Sequence, residues 1–139
     1  MRENQAVLYA EDDDNDAFLM KRAFRLAAIP NPLRIAGDGQ QAIEYFTGTG
    51  QYSNGVEHPR PCLVLLDLKM PLKSGLDVLK WIRADAAAMI PVLMLSSSNQ
   101  SSDIAQAYVA GANAFLIKPG NPAELLTMVR GIKRFWLEV

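Results

Sequence analysis

The stretch from Leu63 to Pro71 constrains the fold more than any other part of the chain. It begins with an aliphatic run, which is typical of a strand buried on both faces in the middle of a parallel sheet. The run ends at Asp67, and Met70-Pro71 and Gly75 interrupt regular structure just beyond it. A carboxylate at the rim of a hydrophobic sheet is unfavourable unless it is compensated. Lys69 is the one opposite charge in the stretch, so we expect further partners from elsewhere in the chain.

Composition excludes several classes of protein. The 139 residues are 50% hydrophobic and 21% charged, which suits one globular domain and excludes a disordered chain. The net charge of −1 gives no basic surplus for nucleic-acid binding. No apolar run approaches the ~20 residues of a membrane span. The single cysteine, Cys62, opens an apolar strand and is interpreted as a small core residue, so we expect a cytoplasmic protein.

Apolar runs alternate with helical patterns along the whole chain. Each predicted strand is followed by a segment with apolar residues at helical spacing, and the predicted strands are residues 6–10, 33–36, 62–67, 91–95 and 114–117. Residues 48–61 form a long polar loop, interpreted as a surface insertion. This order predicts an α/β fold, a doubly wound five-stranded parallel sheet with five helices.

Polar residues follow four of these strands where the strands end. They are Glu11-Asp12, Asp67, Ser96 and Lys118. The carboxyl ends of parallel strands meet at one edge of the sheet, where ligands of such folds bind. Three carboxylates need a cation, and Mg²⁺ prefers oxygen ligands. Glu11, Asp12 and Asp67 would be balanced by Mg²⁺ together with Lys118, so the sequence predicts a magnesium site.

The same residues are suited to phosphoryl transfer. A carboxylate beside Mg²⁺, a lysine and a hydroxyl can attack a phosphoryl group, because the cations offset charge on the transferring oxygens and the hydroxyl donates to another. The expected product is an aspartyl phosphate on Asp67.

The order and spacing of these pieces resemble the receiver domain of two-component response regulators over nearly the whole chain. The matching pieces are Glu11-Asp12 after the first strand, Leu-Leu-Asp-Leu-Lys-Met-Pro at 65–71 with Gly75, Leu-Ser-Ser at 95–97, and Phe-Leu-Ile-Lys-Pro at 115–119. The resemblance implies the flavodoxin-like receiver fold. It also implies a signalling protein, rather than an enzyme, that assists its own phosphorylation and dephosphorylation.

The resemblance assigns a role to each residue of the site. Asp67 would accept the phosphoryl group from a sensor histidine kinase. Asp12, Asp67 and the main-chain carbonyl of Lys69 would bind Mg²⁺ directly, and Glu11 would act through water. Ser96 and Lys118 would hold the phosphoryl group, and the Lys118–Pro119 peptide bond would be cis.

The resemblance also implies a switch. Phosphorylation would draw Ser96 inward and let Phe115 rotate into the space that Ser96 leaves. The face formed by the fourth helix, the fifth strand and the fifth helix would change as a result. Many relatives have tyrosine in place of Phe115, so this chain lacks the side-chain hydroxyl at that position. Lys69 could also reach the acidic cluster and alter either the unphosphorylated state or the attack of water.

Residues 1–139 are expected to form one receiver domain without an output domain. The long loop at 48–61 and the C-terminal segment 134–137 resemble the single-domain regulators that partner bacterial phytochrome kinases. The last predicted helix, to about Leu137, carries more apolar residues than one stripe requires. A broad core stripe and a homodimer or partner interface on the face of helix four, strand five and helix five both remain open.

Other residues receive less specific interpretations. Asp13, Asp14 and Asp16 are interpreted as helix-capping and solvated charges. Ser97 and Ser98 are interpreted as a permissive loop, and no phosphotransfer or metal role is expected of His58.

Three alternative functions fit these residues less well. A haloacid-dehalogenase-type Mg²⁺-dependent phosphatase would need a second aspartate at the position of Lys69. A flavodoxin-like FMN carrier would need a first loop that is not acidic. An unphosphorylated docking module would not need the complete acidic, serine and lysine set.

Overall fold

The computed structural model describes residues 5–55, 57–85 and 89–138. Within these residues, five strands alternate with five α-helices. The strands are β1 (Ala6–Ala10), β2 (Leu33–Ala36), β3 (Pro61–Asp67), β4 (Val92–Ser96) and β5 (Ala114–Ile117), and the helices are α1 (Asp14–Leu26), α2 (Gly39–Thr47), α3 (Gly75–Ala84), α4 (Ser101–Val109) and α5 (Pro122–Ile132). The predicted alternation is confirmed, with strand ends that differ by one residue at β3 and β4.

All strand pairs in the sheet are parallel, and the strand order is β2-β1-β3-β4-β5. The acidic-ended strand β3 therefore lies at the centre, and all of its residues are buried. A central strand pairs on both edges and is covered on both faces, which explains its continuous aliphatic sequence. The doubly wound five-stranded fold predicted from the sequence is confirmed.

Alternate residues of the strands enter two separate cores. On one face, Leu8, Val64 and Met94 pack under α2, α3 and α4. On the other face, Leu63 and Leu93 pack under α1 and α5. Successive side chains of a strand point to opposite faces, so one strand supplies both cores. The same alternation places Tyr9, Glu11 and Asp67 toward the face covered by α1 and α5.

The close contact between α3 and the end of β3 depends on Gly75. Ser74 caps α3 and forms a capping box with Asp77, so Gly75 is the first residue of the helix. A Cβ atom built on Gly75 would overlap the main-chain oxygen of Asp67. The Gly75 amide also donates a 3.0 Å hydrogen bond to the Leu68 carbonyl. A glycine is thus required here, because any side chain would push α3 away from the end of β3.

The described part of the loop at 48–61 lies largely at the surface, as predicted, but aromatic side chains anchor it. It begins with a 3₁₀ turn at Gly50–Tyr52, and Tyr52 is buried. The rings of Tyr52 and His58 both pack against Tyr45 of α2, at centroid distances of 5.1 and 5.9 Å. The Tyr45 hydroxyl donates to the Pro59 carbonyl at 2.6 Å. These aromatic contacts hold the loop against α2, so the predicted surface insertion is anchored to the domain by two rings.

The last helix changes geometry near its end. The α-helix Pro122–Ile132 continues as a π-helical segment, Lys133–Leu137. A π-helical turn brings residues five apart onto one face. Leu137 therefore returns to the core beside Ile132, whereas Phe135 is 70% exposed. Some of the surplus apolar residues of the last helix therefore belong to the core, as Leu137 does, and others, such as Phe135, face outward. No helix in the described ranges is long and apolar enough to span a membrane.

Candidate functional site

The structure brings the predicted site residues to one edge of the sheet. Asp67 and Ser96 are the last residues of β3 and β4, Glu11 follows β1 by one residue and Lys118 follows β5 by one residue. Main-chain bonds hold these ends together, because the Leu68 amide donates to the Leu95 carbonyl and the Lys118 amide donates to the Ser96 carbonyl. The predicted convergence at the carboxyl edge is therefore present in the fold.

Three carboxylates at this edge form a cluster that could hold a metal ion. Glu11, Asp12 and Asp67 each offer one oxygen, and these oxygens lie within 4.8 Å of one another. Glu11 and Asp67 are buried, whereas Asp12 is exposed and faces solvent. Hard divalent cations take oxygen ligands of this kind at 2.0–2.6 Å, roughly the spacing that such a cluster permits. The donor set and spacing therefore fit a divalent cation.

Lys118 is the cationic partner that the sequence predicted for Asp67, but it serves more than one acid. Its Nζ lies 2.6 Å from Glu11, 3.0 Å from Asp16 and 3.4 Å from Asp67. Lys118 thus pairs with three carboxylates, and Asp12 adds a fourth negative charge at the same edge. The site has a larger excess of negative charge than the sequence suggested, which increases the electrostatic benefit of a bound cation.

The pKa values at the site follow from burial and from these pairs. Burial raises the pKa of Asp67 to about 7, and its hydrogen bond with Glu11 contributes further. Burial alone would also raise the pKa of Glu11, but hydrogen bonds from Lys118 and Tyr9, among others, lower it. Burial would lower the pKa of Lys118, but its bonds to Glu11 and Asp16 raise it. Without a cation, Asp67 therefore holds a proton more readily than Glu11, because their pKa values are shifted in opposite directions.

A pH dependence of stability follows for the metal-free protein. The folded pKa of Asp67 lies above its ordinary value of 3.8, so folding strengthens proton binding at this group. Its contribution to stability is present at low pH and is lost as the pH rises through about 7. In urea titrations with a chelator, we expect the free energy of unfolding of the wild type, relative to that of Asp67→Asn, to fall as the pH rises from 3.8 to about 7. A difference that does not vary with pH would contradict the raised pKa.

Ser96 is buried, and two hydrogen bonds anchor the loop that follows it. The Ser96 hydroxyl accepts a 3.0 Å hydrogen bond from the Ser98 amide. The Ser98 hydroxyl in turn donates to Asp103 of α4 at 2.7 Å. These bonds connect the end of β4 to the first turn of α4. Ser98 is thus part of a defined connection, and the expectation that Ser97 and Ser98 are loop residues rather than direct ligands stays a prediction.

Phe115 is half-buried and packs against the core under α2, α3 and α4. Its own side chain has no hydroxyl, but its main-chain amide donates a 3.1 Å hydrogen bond to the hydroxyl of Tyr108. Tyr108 lies on α4 and is 49% exposed. A tyrosine of the neighbouring helix therefore supplies a hydroxyl at the edge of β5, a contact that the sequence pattern does not predict.

Two expectations about lysines differ from the structure. Lys69 is exposed, and no described ion pair joins it to the acidic cluster, since Lys118 occupies the position beside the acids. No cis peptide bond occurs among the described residues, so the expected cis Lys118–Pro119 bond is wrong. The trans isomer is the lower-energy form of most X–Pro bonds. Here the Lys118 side chain is oriented by its ion pairs.

Asp16 and Tyr9 are the two contacts of the site that sequence reasoning missed. Asp16 lies four residues after Asp12, in the first turn of α1, whereas Asp12 precedes the helix. Tyr9 lies two residues before Glu11, and therefore on the same face of β1. Its hydroxyl donates to Glu11 Oε1 at 2.8 Å. Both spacings were visible in the sequence, but neither indicates a contact until the strands are assembled.

The fold and this arrangement of acids, serine and lysine define the class of the protein. The chain belongs to the response regulator receiver domain family, whose sequence profile matches residues 7–130. It is accordingly a signalling domain, as the sequence predicted.

Its relatives include regulators from light-signalling systems. The chain is 36% identical over 135 residues to the response regulator Rcp1 of Synechocystis, covering 96% of this chain and 90% of Rcp1. It is 35% identical, with a TM-score of 0.89, to response regulator RPA3017 in red light signalling of R. palustris, covering 96% and 94% of the two chains. It is 34% identical, with a TM-score of 0.88, to the phosphorylated cyanobacterial phytochrome response regulator RcpA, covering 97% and 95%. The predicted resemblance to phytochrome-associated regulators is confirmed.

Proposed function

We propose that this chain is a phosphorylation switch in which Asp67 accepts a phosphoryl group from a sensor histidine kinase in a Mg²⁺-dependent reaction. The observation that carries the proposal is the convergence of Glu11, Asp12 and Asp67 with Lys118 at the carboxyl edge of the sheet. Two relatives support it, since RcpA has a phosphorylated structure and Rcp1 has a Mn²⁺-bound structure.

In the proposed reaction, an oxygen of Asp67 attacks phosphorus while the bond between phosphorus and the kinase histidine nitrogen breaks. That nitrogen takes up a proton, and Asp67 becomes an acyl phosphate. Mg²⁺ would be held by Asp12, Asp67 and the Lys69 carbonyl, and Glu11 would act through water. When bound, the ion would offset negative charge on the transferring oxygens. Lys118 would hold a phosphoryl oxygen from the opposite side, and Ser96 would donate to another.

The test is direct phosphorylation of the purified protein. With Mg²⁺ and acetyl phosphate as the small phosphodonor, we expect a mass increase of about 80 Da, the mass of one phosphoryl group, that is prevented by a chelator. Continuous release of inorganic phosphate over many turnovers, without a persisting adduct, would instead indicate a phosphatase. Absence of any adduct under these conditions would contradict the proposal.

The proposed partner is a sensor kinase of the phytochrome type in the cytoplasm. The relatives that support this proposal are a red-light regulator and a phytochrome regulator. Phosphotransfer from a phytochrome kinase that exceeds transfer from an unrelated histidine kinase would support this assignment, and equal rates would oppose it.

The proposed output is a change in the face formed by α4, β5 and α5. Exposed apolar side chains on this face include Tyr108, Val109 and Ile117, with exposed fractions of 49%, 89% and 44%. Large apolar side chains left exposed on one face favour a protein partner or a second copy. We propose that movement of Ser96 and Phe115 after phosphorylation alters this surface. Light scattering that shows a monomer at every concentration, with and without phosphorylation, would exclude the dimer.

A further inference from the structure

The Tyr9 hydroxyl is a buried polar group at the site that the proposed reaction does not use. Tyr9 lies in β1 between aliphatic and alanine residues, and it is 2% exposed. A buried hydroxyl is costly unless it has a partner. The hydroxyl donates to Glu11 Oε1 at 2.8 Å. Burial, together with the charge of Glu11, raises the pKa of Tyr9, so the hydroxyl keeps its proton and remains a donor.

The acceptor of this bond also binds Lys118. Glu11 Oε1 accepts from Tyr9 and from Lys118 Nζ, the latter at 2.6 Å, while Oε2 accepts from the Asp13 amide at 3.2 Å. Only 1% of the Glu11 side chain is exposed, so water cannot replace a donor that is lost. Tyr9 and the Asp13 amide belong to β1 and its following turn, whereas Lys118 is a long side chain with three acidic neighbours.

We propose that Tyr9 is a positioning residue that holds the Glu11 carboxylate toward Asp12 and Asp67, so that the three acids can bind a divalent cation. The inference rests on the proposed function. Because the phenol is neutral and fixed by packing, it satisfies Glu11 Oε1 whether Lys118 stays on Glu11 or turns toward a phosphoryl group on Asp67. A short buried hydrogen bond to a metal-site carboxylate fixes its orientation in the way outer-shell partners do at metal sites.

The experiment is Mn²⁺ titration of the unphosphorylated protein by calorimetry. Tyr9→Phe removes the hydroxyl and leaves the ring in place. We expect it to weaken Mn²⁺ binding by about 10-fold, the usual effect of losing an outer-shell partner. The matched control is Tyr45→Phe, which removes a buried tyrosine hydroxyl whose 2.6 Å bond to Pro59 lies at the other end of the sheet. Its Mn²⁺ affinity should remain within about twofold of the wild type.

A double-mutant cycle separates positioning from general destabilisation. In a Glu11→Gln background, adding Tyr9→Phe should cost less than about twofold in Mn²⁺ affinity, because the two residues act through one bond. Equal affinities of Tyr9→Phe and wild type would overturn the Tyr9 inference and leave the metal site intact, as would a full additional loss in the Glu11→Gln background. A wild-type protein that binds no Mn²⁺ would instead contradict the metal site of the proposed function, and the role of Tyr9 with it.

Discussion

Asp67→Asn is expected to abolish the phosphoryl adduct that the wild type forms with Mg²⁺ and acetyl phosphate. Asparagine keeps the shape of the side chain at the end of β3, but an amide is not a competent nucleophile toward phosphorus. Asp67 is also one of the three acids that offer an oxygen to a cation. The substitution therefore removes both the attacking atom and a metal ligand, and intact-mass measurement should show no increase.

The matched control is Asp14→Asn. Asp14 is an exposed acid in the first turn of α1 and does not belong to the acidic cluster. This variant should form the adduct to the same extent as the wild type. Peptide mapping of the wild-type adduct should place the added mass on the peptide that contains Asp67. An adduct of wild-type yield in Asp67→Asn, or a map that points to another acid, would show that the acceptor has been assigned wrongly.

Gly75→Ala is expected to destabilise the fold by about 3 kcal/mol, the upper end of the usual cost of overpacking. The added methyl group would overlap the main-chain oxygen of Asp67, and the three nearest atoms are all backbone of Asp67 and Leu68, which cannot rotate away as a side chain could. Relief requires α3 to shift away from β3, which also displaces Asp67 from its neighbours. Urea unfolding should therefore show the loss of stability, and the yield of the phosphoryl adduct should fall with it.

Gly131→Ala provides the matched control for this change. Gly131 is an exposed residue of α5, and a Cβ built there meets no atom within 4 Å. Replacing glycine by alanine within an exposed helix should stabilise the protein by roughly 0.5–1 kcal/mol. The two substitutions are chemically identical and opposite in expected sign. Equal stabilities of Gly75→Ala and the wild type would contradict the close approach of α3 to β3.

The local pattern of apolar and polar residues was sufficient to predict much of the architecture. The uninterrupted aliphatic sequence of β3 indicated its central position, and the breaks after each strand indicated where the polar residues gather. Because parallel strands deliver their carboxyl ends to one edge, Glu11, Asp67 and Lys118 could be expected together before their distances were known. The helix start at Asn121 was likewise readable, since its side chain accepts from the Glu124 amide and Pro122 follows it.

Contacts between segments that are distant in the sequence could not be predicted from local sequence patterns. The aromatic packing of His58 against Tyr45 depends on how the loop folds over α2, and nothing in its polar sequence indicates this. The π-helical end returns Leu137 to the core, and the apolar spacing of the last helix does not indicate this change of geometry. In both cases, the local sequence permits several conformations, and the packing of neighbouring elements selects among them.

Asp67 illustrates the difference between what the sequence determines and what the tertiary structure determines. The sequence alone determined that a carboxylate ends the central strand and needs compensation. Only the tertiary structure decided how the charge is distributed, with Lys118 shared among Glu11, Asp16 and Asp67, and with Tyr9 as a second donor to Glu11. The physical reason is that backbone pattern fixes where strands end. Which side chains lie within hydrogen-bonding distance depends instead on the assembled positions of β1, α1, β3 and β5.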